Sequence, residues 1–222
     1  PPENESDTTE DEIEYLEGIP VDKNLVDSAD EIRQHFQIFL SSKGLEYPKQ
    51  ELKELMVGVK TIILILKYHY NRPRPWQIAQ AKGLELNSET LQSSSSPSYP
   101  SGHATQGKFV ARYLSDLYPE YRDELMQIGE DIAYSRNMAK VHYPSDSAFG
   151  KLVGDDMYDY VNQRDITQKE NITEQNFQKT GDMLKSDIFK FLSNRFVLTP
   201  TKYSEIKDND GNYYRLIDME EP

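Results

Sequence analysis

Apolar residues recur at helical spacing from about Lys49 to Tyr70, and the pattern stops at Arg72-Pro73-Arg74-Pro75. Proline removes a backbone donor and disfavours helix in the residue before it, so the helix must end there. Lys67 then sits on its last turns, and Arg74 lies in an extended segment just beyond. The most apolar stretch, Leu55 to Leu66, is interrupted by Lys60 and is too short to span a bilayer. It reads as a buried core helix, and membrane insertion is not expected. With 36% hydrophobic residues and a mean hydropathy of −0.76, a soluble chain has little apolar sequence left for other uses. At 222 residues the expectation is one domain with its own core.

Around that helix the pattern is again helical. Ser28, three residues before Glu31, has the spacing of a capping box, and Ile32, Phe36, Phe39 and Leu40 follow at helical intervals. Residues 92–101 form a Ser/Pro loop. Ala104–Leu117 and Tyr121–Val141 read as helices, the second broken by Tyr143-Pro144. Ser145 can cap a further helix from Asp146 to about Tyr160, and another helix is expected over Phe177–Leu192. Residues 1–12 carry six acids and no base, so residues 1–20 read as a flexible acidic tail. Near the other end, Asp208-Asn209-Asp210-Gly211 between two short polar-aromatic runs signals a hairpin. The expected fold class is all-α, a helical bundle with a small C-terminal β-hairpin appendage. Its divisions are the tail 1–20, a helical domain 21–195 and a C-terminal segment 196–222.

The formal net charge of −13 makes nucleic acid an unfavourable partner. It also requires a locally positive pocket if an anionic substrate is to approach. The absence of cysteine excludes disulfides, thiol catalysis and Cys-ligated metals. No signal peptide is visible and the chain does not begin with Met, so the compartment stays open. The oligomeric state is equally open, a homo-oligomer included.

Three segments carry chemistry: Lys67 with Arg74, Pro100-Ser101-Gly102-His103, and Ser135-Arg136 followed by His142 and Asp146. Phosphate spreads its charge over several oxygens, so donors arriving from different directions suit it. Arg74 and Arg136 offer planar forks and Lys67 a compact charge. Ser101 and Gly102 lie where a helix begins, so backbone N–H groups and the helix dipole favour an anion there. Gly102 lets the backbone come close. Taken singly, these are a solvated Lys or Arg and an ordinary turn; together they describe a phosphate site. Of the four histidines, His35 and His69 read as structural or surface residues. His103 and His142 each adjoin anion-binding groups, and an imidazole can serve as nucleophile or as general acid. Spacing alone does not assign those two roles.

The order Lys-x6-Arg-Pro, Pro-Ser-Gly-His, Ser-Arg-x5-His-x3-Asp resembles the signature of the type 2 phosphatidic acid phosphatase superfamily. That superfamily also holds bacterial non-specific acid phosphatases and vanadium haloperoxidases. The resemblance runs from about Lys60 to Asp155, and Tyr99–His103 and His142–Asp146 look closest to the soluble phosphatases. It implies that His142 attacks phosphorus to form a phosphohistidine and that Asp146 orients its ring. It further implies that His103 protonates the leaving alcohol and then activates water. Lys67, Arg74 and Arg136, with Ser101 and Gly102, would bind the phosphoryl oxygens. On that footing, residues 21–195 are a phosphatase domain acting on a small-molecule phosphate ester without metal or other cofactor.

Two rivals share these residues: a vanadium-dependent haloperoxidase, with vanadate as cofactor, and a phosphate-binding or structural protein without turnover. Other patterns carry less. Asp155, Asp156 and Asp159 read as a solvated helix face rather than a metal site, and Asp146 alone could be a helix-start carboxylate. The Asp208–Gly211 loop has Ile206 where a calcium loop needs its first carboxylate. There is no Gly-x-Ser-x-Gly around Ser101, and Asn171-Ile172-Thr173 matches a glycosylation sequon by pattern only.

Overall fold

The computed structural model describes residues 1–89, 91 and 94–162, with the backbone of 163–168, 206–207 and 213–214. Among the described residues the chain is mostly helical. In order come α1 (Asp7–Gly18), α2 (Lys23–Ala29), α3 (Ile32–Ser42), α4 (Lys49–Tyr70) and α5 (Pro75–Ala81). They are followed by α6 (Gly102–Leu117), α7 (Arg122–Met138) and α8 (Pro144–Gln168). Ile206–Lys207 pairs antiparallel with Tyr213–Tyr214. The intervening turn of the expected hairpin, and the expected helix over Phe177–Leu192, lie outside the described residues. No described helix is long and apolar enough to cross a membrane.

The expected core helix is α4. Its Leu52, Val59, Ile62, Ile63 and Leu66 are buried with Phe36 and Leu40 of α3, Phe109 and Leu114 of α6, Leu125 and Ile132 of α7, and Val153 and Met157 of α8. The helix ends on Asn71, whose φ of 46° is left-handed and whose N–H closes on the Lys67 carbonyl at 2.8 Å. Asparagine tolerates that conformation better than most residues, so the chain can leave the helix one residue before Arg72-Pro73. Helix α6 lies tightly against α8. A Cβ added to Gly150 would stand 2.6 Å from the Ser101 carbonyl oxygen, and one on Gly154 2.5 Å from that of Thr105. Glycine is required at both because the neighbouring backbone occupies the space of a side chain.

Two expectations at the N-terminal end need correction. Part of the acidic stretch read as a flexible tail, residues 1–20, forms α1. Ser6 caps it by accepting from the Thr9 N–H, and Asp7 and Glu10 lie in the first turn, where the dipole favours negative charge. Thr9, Ile13 and Leu16 recur at helical spacing and are buried, and α1 packs with Val26, Met138, Val141 and Tyr143 in a second apolar cluster. Composition undervalued a helix whose acids face outward while a narrow stripe faces in. Ser28, in turn, does not cap α3. It lies inside α2, where Asp22 provides the cap by accepting from the N–H groups of Asn24 and Leu25, and α3 begins after Glu31 without a side-chain cap.

Candidate functional site

The three segments meet. Lys67 arrives on the last turn of α4, Arg74 at the start of α5, His103 in the first turn of α6, Arg136 in the last turn of α7, and Asp146 in the first turn of α8. An aromatic cluster pins these ends together. Tyr99 and Phe149 stack at 4.7 Å with rings 11° apart, and Tyr70 meets both edge-on at 5.0 and 6.1 Å. Lys67, Arg74, Arg136 and His142 are at most 4% exposed, and Asp146 is fully buried.

The Ser/Pro loop before Pro100 holds the cations. Lys67 Nζ donates to the Pro97 carbonyl at 2.5 Å and to that of Ser98 at 3.3 Å, and Arg74 Nε donates to the Ser96 carbonyl at 3.0 Å. Arg74 Nη1 donates to the Val141 carbonyl (2.7 Å) and reaches His142 Nε2 (3.0 Å). Its Nη2 is buried and has no hydrogen-bond partner among the described residues. Arg136 donates to Asp30 Oδ1 at 2.7 Å and to the Val26 carbonyl at 3.0 Å. His103 Nε2 lies 3.3 Å from the same Asp30 oxygen and 3.2 Å from the Asp30 carbonyl.

This geometry fixes the His142 tautomer. A guanidinium can only donate, so Nε2 accepts from Arg74 and the ring proton sits on Nδ1. That proton faces Asp146 Oδ2 at 3.2 Å, and Asn137 Nδ2 holds the His142 carbonyl at 2.9 Å. Asp146 Oδ2 also accepts from the Tyr143 N–H at 3.0 Å and from Ser98 Oγ, while Oδ1 pairs with Arg72 Nη1 at 2.7 Å. The basic lone pair of His142 therefore points at Arg74, on the side away from the carboxylate.

Each of these groups feels the others. Burial drives the His142 imidazole well below the ordinary histidine value, with Arg74, Lys67, His103 and Arg136 adding to the effect. Burial and then Arg74 push the Lys67 ammonium far down. Arg74 is pushed down to about 10 by burial, opposed by Asp146 and reinforced by Arg136. His103 is lowered by burial, against the raising effect of its Asp30 hydrogen bonds. Lys67, Arg74, His103, Arg136 and His142 thus share one buried space, where burial and mutual repulsion disfavour their charged forms.

Ser101 caps α6 through its Oγ, and its N–H is committed to the Asp146 carbonyl at 3.0 Å. A Cβ on Gly102 would fall 3.5 Å from Ile63 Cγ2 and 3.9 Å from Lys67 Cε, so this residue faces the lysine. Ser145, expected to cap α8, lies within its first turn. The cap comes instead from Glu12 of α1, whose Oε1 accepts from the Ser145 N–H at 2.6 Å. Asp155 and Asp159 pair with Arg112 of α6 at 2.8 and 2.7 Å, tying helix to helix. Among the described residues, no group of three acidic or histidine side chains is arranged to hold a metal.

Arg72, Ser98, Asp30 and Glu12 escaped the reading of the sequence. Arg72 stood inside the motif, but the signature spacing selects Arg74. Asp30 and Glu12 carry no local signal, because their partners lie 106 and 133 residues away.

Residues 54–154 match the family model described as PAP2 superfamily. The chain is 28% identical over 149 residues to a non-specific acid phosphatase of Salmonella typhimurium, covering 63% of this chain and 59% of that protein. It is 34% identical over 89 residues to a non-specific acid phosphatase of Salmonella typhi, covering 40% and 35%. With an acid phosphatase of Zymomonas mobilis it shares 34% over 88 residues, covering 39% and 33%. The chain thus spans between a third and three-fifths of the length of these curated relatives. Residues 54–154, which hold every expected site residue, are the part of the chain similar to the PAP2 superfamily.

Proposed function

We propose that the protein is a phosphomonoesterase of the acid phosphatase kind, working through a phosphohistidine and without a metal. The observation that carries this is the orientation of His142: a buried, neutral imidazole whose Nε2 lone pair accepts from Arg74 while its proton faces Asp146. Nε2 attacks phosphorus as the bond to the leaving oxygen breaks. His103, whose Nε2 must carry a proton to face two Asp30 oxygens, delivers that proton to the departing alkoxide. It then takes a proton from water as the water attacks phosphorus and the P–N bond breaks. Lys67, Arg74 and Arg136 neutralise the charge on the equatorial oxygens, an electrostatic task that often supplies most of the acceleration. Arg74 Nη2, which has no hydrogen-bond partner among the described residues, is a donor for one of them. Asp30 occupies part of the space a phosphate oxygen would take beside Arg136 and His103, so substrate exchanges one anion for another. The relatives' names favour phosphate ester hydrolysis over halide oxidation. Single-turnover trapping with p-nitrophenyl phosphate tests the proposal: wild type accumulates an acid-labile phosphohistidine and His142→Ala does not. No phosphoenzyme, or one that survives His142→Ala, defeats it.

A further inference from the structure

Arg72 and Arg74 flank Pro73, and their guanidinium groups take different partners. Arg74 turns to the pocket. Arg72 turns away from it, is 2% exposed, and commits both terminal nitrogens to protein. Nη1 donates to Asp146 Oδ1 and to Ser145 Oγ, each at 2.7 Å. Nη2 donates to Glu12 Oε2 at 3.0 Å and to Thr9 Oγ1 at 3.3 Å. The guanidinium face lies 3.7 Å from the centre of the Tyr143 ring. With two edges and one face held, the group has a single orientation and cannot reach a substrate.

We propose that Arg72 is a positioning residue for His142 and that Glu12 of α1 holds it in place. Resting on the phosphatase reading above, this assigns α1 a part in turnover. The chain Glu12, Arg72, Asp146, His142 alternates in charge, with side-chain exposures of 11%, 1%, 0% and 4%. Arg72 binds one oxygen of Asp146 and so leaves the other aimed at His142 Nδ1. That aim matters most when phosphorylation makes the imidazole cationic, because Nδ1–H must then be held by a carboxylate that cannot rotate. Glu12 does double duty: it orients Arg72 and caps the α8 turn that carries Asp146.

The test uses Arg72→Lys, Arg72→Met and Glu12→Gln in the full chain, with p-nitrophenyl phosphate as substrate and inorganic phosphate as ligand. Arg72→Lys keeps the charge but loses the fork. We expect kcat to fall roughly 10- to 100-fold in Arg72→Lys, with KM and phosphate affinity little changed, as for a misaimed reacting group. NMR titration of the His142 ring gives a second reading, independent of turnover. Removing the cation in Arg72→Met strengthens the field of Asp146 and raises the His142 pKa. Removing the anion in Glu12→Gln does the reverse and lowers it. Lys67 of α4, Arg74, His103 of α6, Arg136 of α7 and Asp146 of α8 also face His142 and are unaltered in all three variants. Wild-type kcat and titration in Arg72→Lys and Glu12→Gln overturn the proposal. So does a loss of kcat that only parallels loss of phosphate affinity and thermal stability. If wild type itself forms no phosphohistidine the phosphatase reading fails, yet the opposite-sign shifts still decide whether Arg72 and Glu12 position His142.

Discussion

Replacing Gly150 by alanine sets two effects of known size against each other. In a helix interior alanine is favoured over glycine by about 1 kcal/mol. Here the new Cβ would lie 2.6 Å from the Ser101 carbonyl oxygen and 3.2 Å from both Ala104 Cβ and Thr105 Oγ1. The nearest obstacle is backbone, so no side-chain rotation relieves it. To reach an ordinary C···O separation of about 3.3 Å, α6 and α8 must part by roughly 0.7 Å. Overpacking of this kind costs about 1–3 kcal/mol, and a backbone obstacle belongs in the upper half of that range. The net result is a loss of about 1–2 kcal/mol, or about 2–8 °C in Tm for a chain of this size. Activity suffers more than stability. Ser101 begins the turn that carries His103, and its N–H is bonded to the Asp146 carbonyl, so the displacement reaches both sides of the pocket. A shift approaching 1 Å lowers kcat/KM by roughly 100-fold. Urea unfolding followed by circular dichroism and turnover of p-nitrophenyl phosphate give the two numbers. Gly18→Ala is the control, because its Cβ meets nothing within 4 Å; it should be neutral or stabilising. Wild-type stability and activity in Gly150→Ala would refute this reasoning.

On the proposed mechanism His142 acts neutral and His103 protonated, and both are shifted down, so the pH dependence of kcat/KM should be a bell lying below the ordinary histidine value of 6.5; a rate flat from acid to alkaline pH contradicts this. Stability has its own sign. Unfolded histidines bind protons before the folded ones as pH falls below 6.5, so the urea midpoint should drop on acidification from that point until the folded groups titrate. A midpoint rising over that interval would be inconsistent. Asp30→Asn removes an acceptor that raises His103 and the carboxylate paired with Arg136; the alkaline limb should move to lower pH while inorganic phosphate inhibits more tightly. Arg136→Met breaks an ion pair with one partner buried and Asp30 35% exposed, so about 3 kcal/mol of destabilisation is expected in denaturant titration, the low end for buried pairs.

The parts of the site legible in the sequence sit at helix ends beside residues that stop or start a helix. Arg72-Pro73 fixes where α4 must finish and hence where Lys67 lies; Ser101-Gly102 fixes the start of α6. What stayed hidden depends on contacts between distant residues. Nothing near Asp30 announces Arg136, and nothing in an acidic segment reveals that Thr9, Ile13 and Leu16 share a buried face until there is a body to bury them against. The capping signals misled for a related reason. Ser28 and Ser145 had suitable local spacing, but Asp22 and Glu12 reached the unpaired N–H groups first. Which nitrogen of His142 is free was equally beyond the sequence, because Arg74 decides it from outside the Arg136–Asp146 segment.

The family match and the counter-charges of its site do not share boundaries. Residues 54–154 contain Lys67, Arg72, Arg74, His103, Arg136, His142 and Asp146. Yet Glu12 and Thr9, which hold Arg72, and Asp30 and Val26, which hold Arg136, all precede residue 54. Excising the matched segment would strip two nearly inaccessible guanidinium groups of their outside partners. The matched segment holds the candidate site residues but not the acids that pair with Arg72 and Arg136 from outside it. The acidic N-terminal stretch is a built-in source of counterions for two arginines that lie far from it along the chain.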